Sequence, residues 1–133
     1  MSDKKVSVIM SAYNAENSIE KTMSSLLMQT YENLEIIIAD DGSTDNTYNL
    51  LKKFSQTNKN ISVIKNSENL GLTRSLNILI DLSKGYYIAR QDADDYSNAT
   101  RITKQVSFIK RHNLDAVTSV SYTHLTLPTI LLV

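Results

Sequence analysis

The sequence predicts an α/β fold, an open and mostly parallel sheet flanked by helices. Two observations carry this. Short apolar, β-branched runs alternate with segments of helical periodicity along most of the chain, and strict alternation argues for a parallel sheet covered by crossover helices. Polar clusters then follow the first, second and fourth strands, at the edge where open parallel sheets bind ligands.

The first strand is expected in "VSVIM", residues 6–10, an uncharged run suited to burial on both faces. After the polar turn "SAYNAEN", Ile19, Met23, Leu26 and Leu27 are spaced as one helix face, and Asn17 with Glu20 predicts a capping box. "LEIIIAD", 34–40, is the second strand, and "DGSTDNT" reads as a turn leading into a helix through Tyr48, Leu51 and Phe54. The third strand is "ISVIKN", 61–66, followed by a helix facing inward with Leu72, Leu76, Leu79 and Ile80, which Gly85 is expected to stop. "YYIAR", 86–90, reads as a buried fourth strand, and Ile102, Val106 and Ile109 mark a fourth helix. "LDAVTSV" is the candidate fifth strand.

The 133 residues suit one domain, and 41% hydrophobic content is enough for a core. Fourteen basic residues balance fourteen acidic ones, so nothing in the net charge points to nucleic acid or an anionic membrane. The absence of cysteine excludes disulfides and thiolate metal sites. Neither a signal pattern nor a run of about 20 apolar residues is found, so a cytoplasmic domain is expected. Residues 1–119 are expected to form the domain. Residues 120–133 break the pattern: they end in apolar "ILLV", Pro128 is expected to interrupt any strand, and "SYTHLTLPTILLV" resembles vector-derived read-through. They are expected to be a non-native or frayed tail.

Several chemistries lack their residues. Gly42, Gly71 and Gly85 form neither a dinucleotide-binding G-x-G-x-x-G nor a P-loop. Calcium loops starting at Asp41 or Asp92 fail at positions six and twelve. His112 and His124 lie far from the acidic clusters, so a Ser-His-Asp arrangement has no support and both read as structural.

The carboxylates of "RQDADD" remain. On an extended chain Asp92 and Asp94 would point to the same side. Three clustered acids are costly without a counter-ion, and oxygen ligands suit a hard ion such as Mn²⁺ or Mg²⁺. One or two protein carboxylates leave coordination positions for diphosphate and water, which describes a nucleotide-diphosphate site. Tyr13 offers a face for a base, Asp41 an acceptor for an imide N–H of uracil, and Arg74 a partner for phosphate. Blander readings stand beside these: Asp40 or Asp41 capping the helix after Gly42, Tyr13 packing in a turn, Arg74 solvated on its helix.

"VSVIMSAYN", "LEIIIADDGSTDNT", "NLGLTRSLN" and "YYIARQDADD" together resemble the N-terminal, nucleotide-sugar-binding portion of a family 2 glycosyltransferase of GT-A, Rossmann-like fold. The resemblance spans residues 6 to about 115, in the family's order and spacing. It implies that Ser11 and Tyr13 line the base pocket and that Asp41 bonds the base. It places Arg74 near the base or diphosphate and Asp92 at the ribose or orienting the metal, and makes Asp94 the direct metal ligand. It implies a UDP-sugar donor, a saccharide or lipid-linked saccharide acceptor, and inverting transfer in bacterial surface glycan synthesis, with a carboxylate base deprotonating the acceptor. The family often has proline where Ala99 stands. Its catalytic base and acceptor segment lie downstream of Val120, so the expectation is a donor-binding half-site, incomplete at the C-terminus. Action in the cytoplasm, at the inner face of a membrane in the parent protein, is compatible with the resemblance. Two other readings compete. A nucleotidyltransferase would normally show a Gly-rich basic loop after the first strand, where "SAYNAEN" has neither feature; the other is a non-catalytic nucleotide-binding fragment.

Overall fold

A computed structural model describes residues 3–121 and 126–129 of the chain. Four strands, β1 (Val6–Ala12), β2 (Leu34–Asp40), β3 (Ile61–Lys65) and β4 (Tyr87–Arg90), form a parallel sheet in the order β3-β2-β1-β4. Helices α1 (Ile19–Leu27), α2 (Thr47–Thr57) and α3 (Leu72–Leu82) make the crossovers, and α4 (Arg101–His112) follows β4. The expected α/β architecture is therefore present, with each element within a residue or two of its expected place.

Alternation along the strands divides the core in two. Val6, Val8, Met10 and Ala12 join Leu34, Ile36 and Ile38 on one face, where Ile19, Met23 and Leu26 of α1, Leu51 of α2, and Ile102 and Val106 of α4 cover them. The opposite face is smaller: Ile9, Ile37 and Ala39 pack against Leu79 of α3. Each fully buried aliphatic side chain contributes about 1.5–3 kcal/mol, so the two inner strands anchor the fold.

Several local expectations are corrected. β4 is an edge strand among the described residues, with β1 its one neighbour, so Tyr86 and Ile88 are exposed where burial was expected. The Asn17–Glu20 capping box is not formed; the N–H groups of Ser18 and Ile19 instead return to the Ala15 carbonyl. On α3, Leu72 and Ile80 are exposed rather than inward-facing, because only the stripe through Leu79 meets the sheet. Gly85 does not stop α3; the Ser83 N–H closes the helix on the Ile80 carbonyl. The glycine is needed instead for close approach, since a Cβ there would lie 2.6 Å from the backbone nitrogen of Ser7. α4 ends at Asn113, whose left-handed backbone lets the Leu114 N–H reach the Ile109 carbonyl.

β5 (Thr118–Ser121) does not join the parallel sheet. It pairs antiparallel with β6 (Thr126–Thr129), placing Pro128 opposite Ser119. Pro128 was expected to interrupt a strand, but a two-stranded ribbon leaves each strand a free edge, where a residue lacking an N–H is tolerated. Part of the expected tail, including His124, lies outside the described residues. No helix among the described residues is long and apolar enough to cross a membrane.

Candidate donor-binding site at the carboxyl edge of the sheet

The parallel strands bring the loops after β1, β2 and β4 to one edge, and side chains lock those loops together. Asn14 follows β1 with a left-handed backbone, φ 47°. Its Oδ1 accepts the N–H groups of Thr44 (2.8 Å) and Asp45 (3.4 Å) and the Thr44 hydroxyl, while its own N–H donates to Ser43 Oγ. Ala15 N–H donates to Thr47 Oγ1, Glu16 N–H donates to Asp45, and Asn46 N–H donates back to Glu16. "SAYNAEN" and "DGSTDNT" thus form one reciprocally bonded unit. Partial burial works against ionisation of Asp45, but the Thr47 hydroxyl, the Thr47 N–H and the Glu16 N–H outweigh it and hold the carboxyl below its ordinary range.

Ser11 lies near the end of β1, opposite Ala39 and partly exposed, and Tyr13 just beyond is 50% exposed. Both reach the edge. Asp41 is only 2% exposed. Its Oδ1 accepts the Asn66 amide (3.0 Å) and the Leu70 N–H (2.8 Å), and Oδ2 accepts the Gly71 N–H (3.0 Å). Asn66 donates onward to Ser75 Oγ. Burial opposes ionisation of Asp41, yet these bonds, together with one from the Ser75 hydroxyl, win and its pKa falls below the usual value. Asp41 therefore fastens the start of α3, not of the helix after Gly42. Asp40 is fully buried; one oxygen accepts the Ser43 N–H at 3.3 Å, and the other has no partner among the described residues. Gly42 makes this packing feasible: its φ is 78°, and a Cβ would sit 2.7 Å from the Glu68 carbonyl carbon. Arg74 is exposed in the first turn of α3, at the same edge.

The acidic segment after β4 is a turn and not an extended strand, because the Asp95 N–H donates to the Asp92 carbonyl at 3.2 Å. The turn, rather than strand alternation, brings carboxylate oxygens of Asp92, Asp94 and Asp95 within 4.8 Å of one another, all three exposed. The cluster, expected to be costly without a counter-ion, has protein cations beside it. Arg90 pairs with Asp92 at 3.3 Å, and the half-buried Arg101 feels the charges of Asp92 and Asp95. Among the described residues Asp94 has neither hydrogen bond nor ion pair. Asp95 does not cap α4; the Asn98 side chain accepts the Thr100 N–H.

Three oxygen donors at this separation fit a hard divalent ion that keeps further positions for water or phosphate. The Arg90 pair makes Asp92 the less available of the three.

Sequence reasoning missed the residues that place the turn. Ser18, just before α1, and Thr22 within it donate to the Ala93 carbonyl at 2.9 and 3.0 Å, and Ser25 accepts the Ser97 N–H. The available signal was hydroxyls on the inward side of an amphipathic helix, with Thr22 fully buried.

The family model described as Glycosyl transferase family 2 matches residues 7–127. An uncharacterized glycosyltransferase of Haemophilus influenzae is 47% identical over 108 residues, covering 81% of this chain and 33% of that protein. The Escherichia coli UDP-Glc:alpha-D-GlcNAc-diphosphoundecaprenol beta-1,3-glucosyltransferase WfaP is 42% identical over 105 residues, covering 79% and 41%. The crystal structure of S. aureus TarS 1-349 in complex with UDP-GlcNAc matches with a TM-score of 0.80 at 27% identity, over 94% of this chain and 37% of that one. The chain thus spans about a third to two fifths of the length of these relatives. Its sheet order, its edge loops and these likenesses agree on a GT-A type fold, and the chain belongs to glycosyl transferase family 2.

Proposed function

We propose that this carboxyl edge binds a nucleotide-diphosphate sugar, a UDP-sugar, for inverting transfer to a saccharide or lipid-linked saccharide in bacterial surface glycan synthesis. The observation that carries the reading is the turn at residues 92–95, which gathers three exposed carboxylates and leaves Asp94 unpaired. Asp94 is the direct ligand for Mn²⁺ or Mg²⁺, and Asp92 is a second contact at the metal or ribose. A divalent ion held there supplies positive charge to a departing diphosphate.

The remaining roles belong to the chain's own residues. Tyr13 stacks on the base and Ser11 lines its pocket. Asp41, ionised and immobilised by donors from Leu70, Asn66, Ser75 and Gly71, is the acceptor facing the imide N–H of uracil. Arg74 reaches the diphosphate or base from α3. The UDP-GlcNAc in the TarS complex and the UDP-Glc in the WfaP name support the choice of donor. The diphosphoundecaprenol in the WfaP name supports a lipid-linked acceptor.

Calorimetric titration of UDP with and without Mn²⁺ tests the reading. Wild type should bind UDP more tightly with Mn²⁺, and Asp94→Ala should abolish that increment alone. Equal UDP affinity with and without metal would sink the assignment of Asp94.

A further inference from the structure

The acidic turn is tied by its backbone, and of its carboxylates only Asp92, paired with Arg90, has a side-chain partner among the described residues. The Ala93 carbonyl is held by Ser18 at the start of α1 and by Thr22 within it. On the other side, the Gln91 amide Nε2 donates to the carbonyls of both Asp92 (3.2 Å) and Asp95 (3.0 Å). All three carbonyls around Asp94 are thereby restrained, while its side chain is not.

Gln91 can do this only with its amide facing one way. Flipped, it would turn an oxygen toward two carbonyl oxygens. Its Oε1 accepts from Ser97 Oγ (2.6 Å) and from Arg101 Nη1 (2.9 Å). A hydroxyl can donate or accept, so Ser97 does not select the orientation. A guanidinium only donates, so Arg101 does. Arg101 also donates to Ser97 Oγ at 3.0 Å and, through Nη2, to the Arg90 carbonyl at 2.8 Å. One planar fork thus spans the end of β4, the glutamine and the loop beyond the turn. Gln91 is 4% exposed, so its polar atoms have little recourse to water.

We propose that Arg101 and Gln91 are positioning residues for the donor site: Arg101 sets the polarity of the Gln91 amide, and Gln91 holds the backbone that aims the carboxylates of Asp92, Asp94 and Asp95 at one point. The inference rests on the donor-site reading for its purpose, and on the hydrogen-bond pattern for its mechanism. Lysine cannot replace the arginine, because an ammonium cannot serve Gln91, Ser97 and the Arg90 carbonyl from one planar fork.

Two variants of the full chain test it. Arg101→Lys keeps the charge and loses the fork. Gln91→Glu is close to isosteric, and replaces the donor facing the two carbonyls with an acceptor. Hydrogen exchange should show amides 92–97 exchanging faster in both, with the amides of β1 and β2 unchanged. Binding of Mn²⁺ alone, read from the free-ion signal in electron paramagnetic resonance, should weaken about tenfold or more, as when groups that orient metal ligands are removed. Wild-type exchange across 92–97 in Gln91→Glu, or in a folded Arg101→Lys, would overturn the clamp. So would undiminished Mn²⁺ affinity in both variants. If wild type binds no Mn²⁺, the donor-site reading falls, and the exchange result alone decides whether the clamp exists.

Discussion

Asn14 accepts the Thr44 N–H on its side-chain oxygen at 2.8 Å, joining the loop after β1 to the loop after β2. The same oxygen also takes the Thr44 hydroxyl and the Asp45 N–H, and the residue sits at φ 47°, a region asparagine tolerates better than most. Asn14→Ala should cost about 2 kcal/mol, combining lost bonds with backbone strain. Asn14→Gly should cost less, because it removes the bonds and relieves the strain. Urea denaturation of the three proteins checks the order; equal stability of wild type and Asn14→Ala would show that the two loops are not joined this way.

Gly42 and Gly71 separate two reasons for a glycine. Both have positive φ, 78° and 92°, but a Cβ on Gly42 would meet the Glu68 and Asn69 backbone below 3 Å, while one on Gly71 would meet nothing within 4 Å. Gly71→Ala should cost about 1–2 kcal/mol, from the backbone alone. Gly42→Ala should cost distinctly more, because the 68–69 segment must move. It should also weaken UDP binding, since that segment leads into the Leu70 and Gly71 amides on Asp41. Thermal melts that rank the two alike would contradict the close approach.

Asp41 predicts an acid-sensitive fold. Burial opposes its ionisation, but donors from Leu70, Asn66, Ser75 and Gly71 outweigh it, so its folded pKa is depressed. A depressed carboxylate contributes stability that is present above its unfolded pKa and lost as pH falls through the folded one. Stability should therefore drop as pH falls below about 4. Asp41→Asn should lower stability at pH 7 and flatten that drop. Denaturation midpoints between pH 7 and pH 3 measure both, and parallel curves for the two proteins would remove Asp41 from the acid transition.

Asp92 and Asp94 should not be equivalent. Asp92 is paired with Arg90, whereas Asp94 has no partner among the described residues. Asp94→Asn should reduce Mn²⁺ affinity more than Asp92→Asn, and both proteins should melt close to wild type because the side chains are exposed. A larger effect at Asp92 on Mn²⁺ affinity would reverse the assignment of the two acids.

Much of the fold was legible in the sequence because its signals are local. Strand runs such as "LEIIIAD" and the spacing of Ile19, Met23 and Leu26 need only neighbouring residues to be read. The acidic and loop motifs were equally visible, and they do stand at one edge of the sheet. Less legible was what each acid touches. Asp41 read as a base acceptor or a cap for the helix after Gly42, and it fastens the start of α3 through residues about 30 positions away. Arg101 carried no signal for the contact it makes, since an arginine opening a helix is ordinary until Gln91 is found against it.

The sequence by itself determined the order of strands and helices, the family, and the cluster of acids after β4, since periodicity and spacing are properties of short stretches. Tertiary structure decided that β4 lies at an edge, that a turn gathers Asp92, Asp94 and Asp95, and that Asn14, Gln91 and Arg101 hold the loops. The place of β4 and the Asn14 bonds depend on the strand order β3-β2-β1-β4, and the turn, though local in sequence, is held by Ser18 and Thr22 from far along the chain. Such contacts are chosen by packing and by the need to satisfy buried polar groups, and no local pattern encodes their partners.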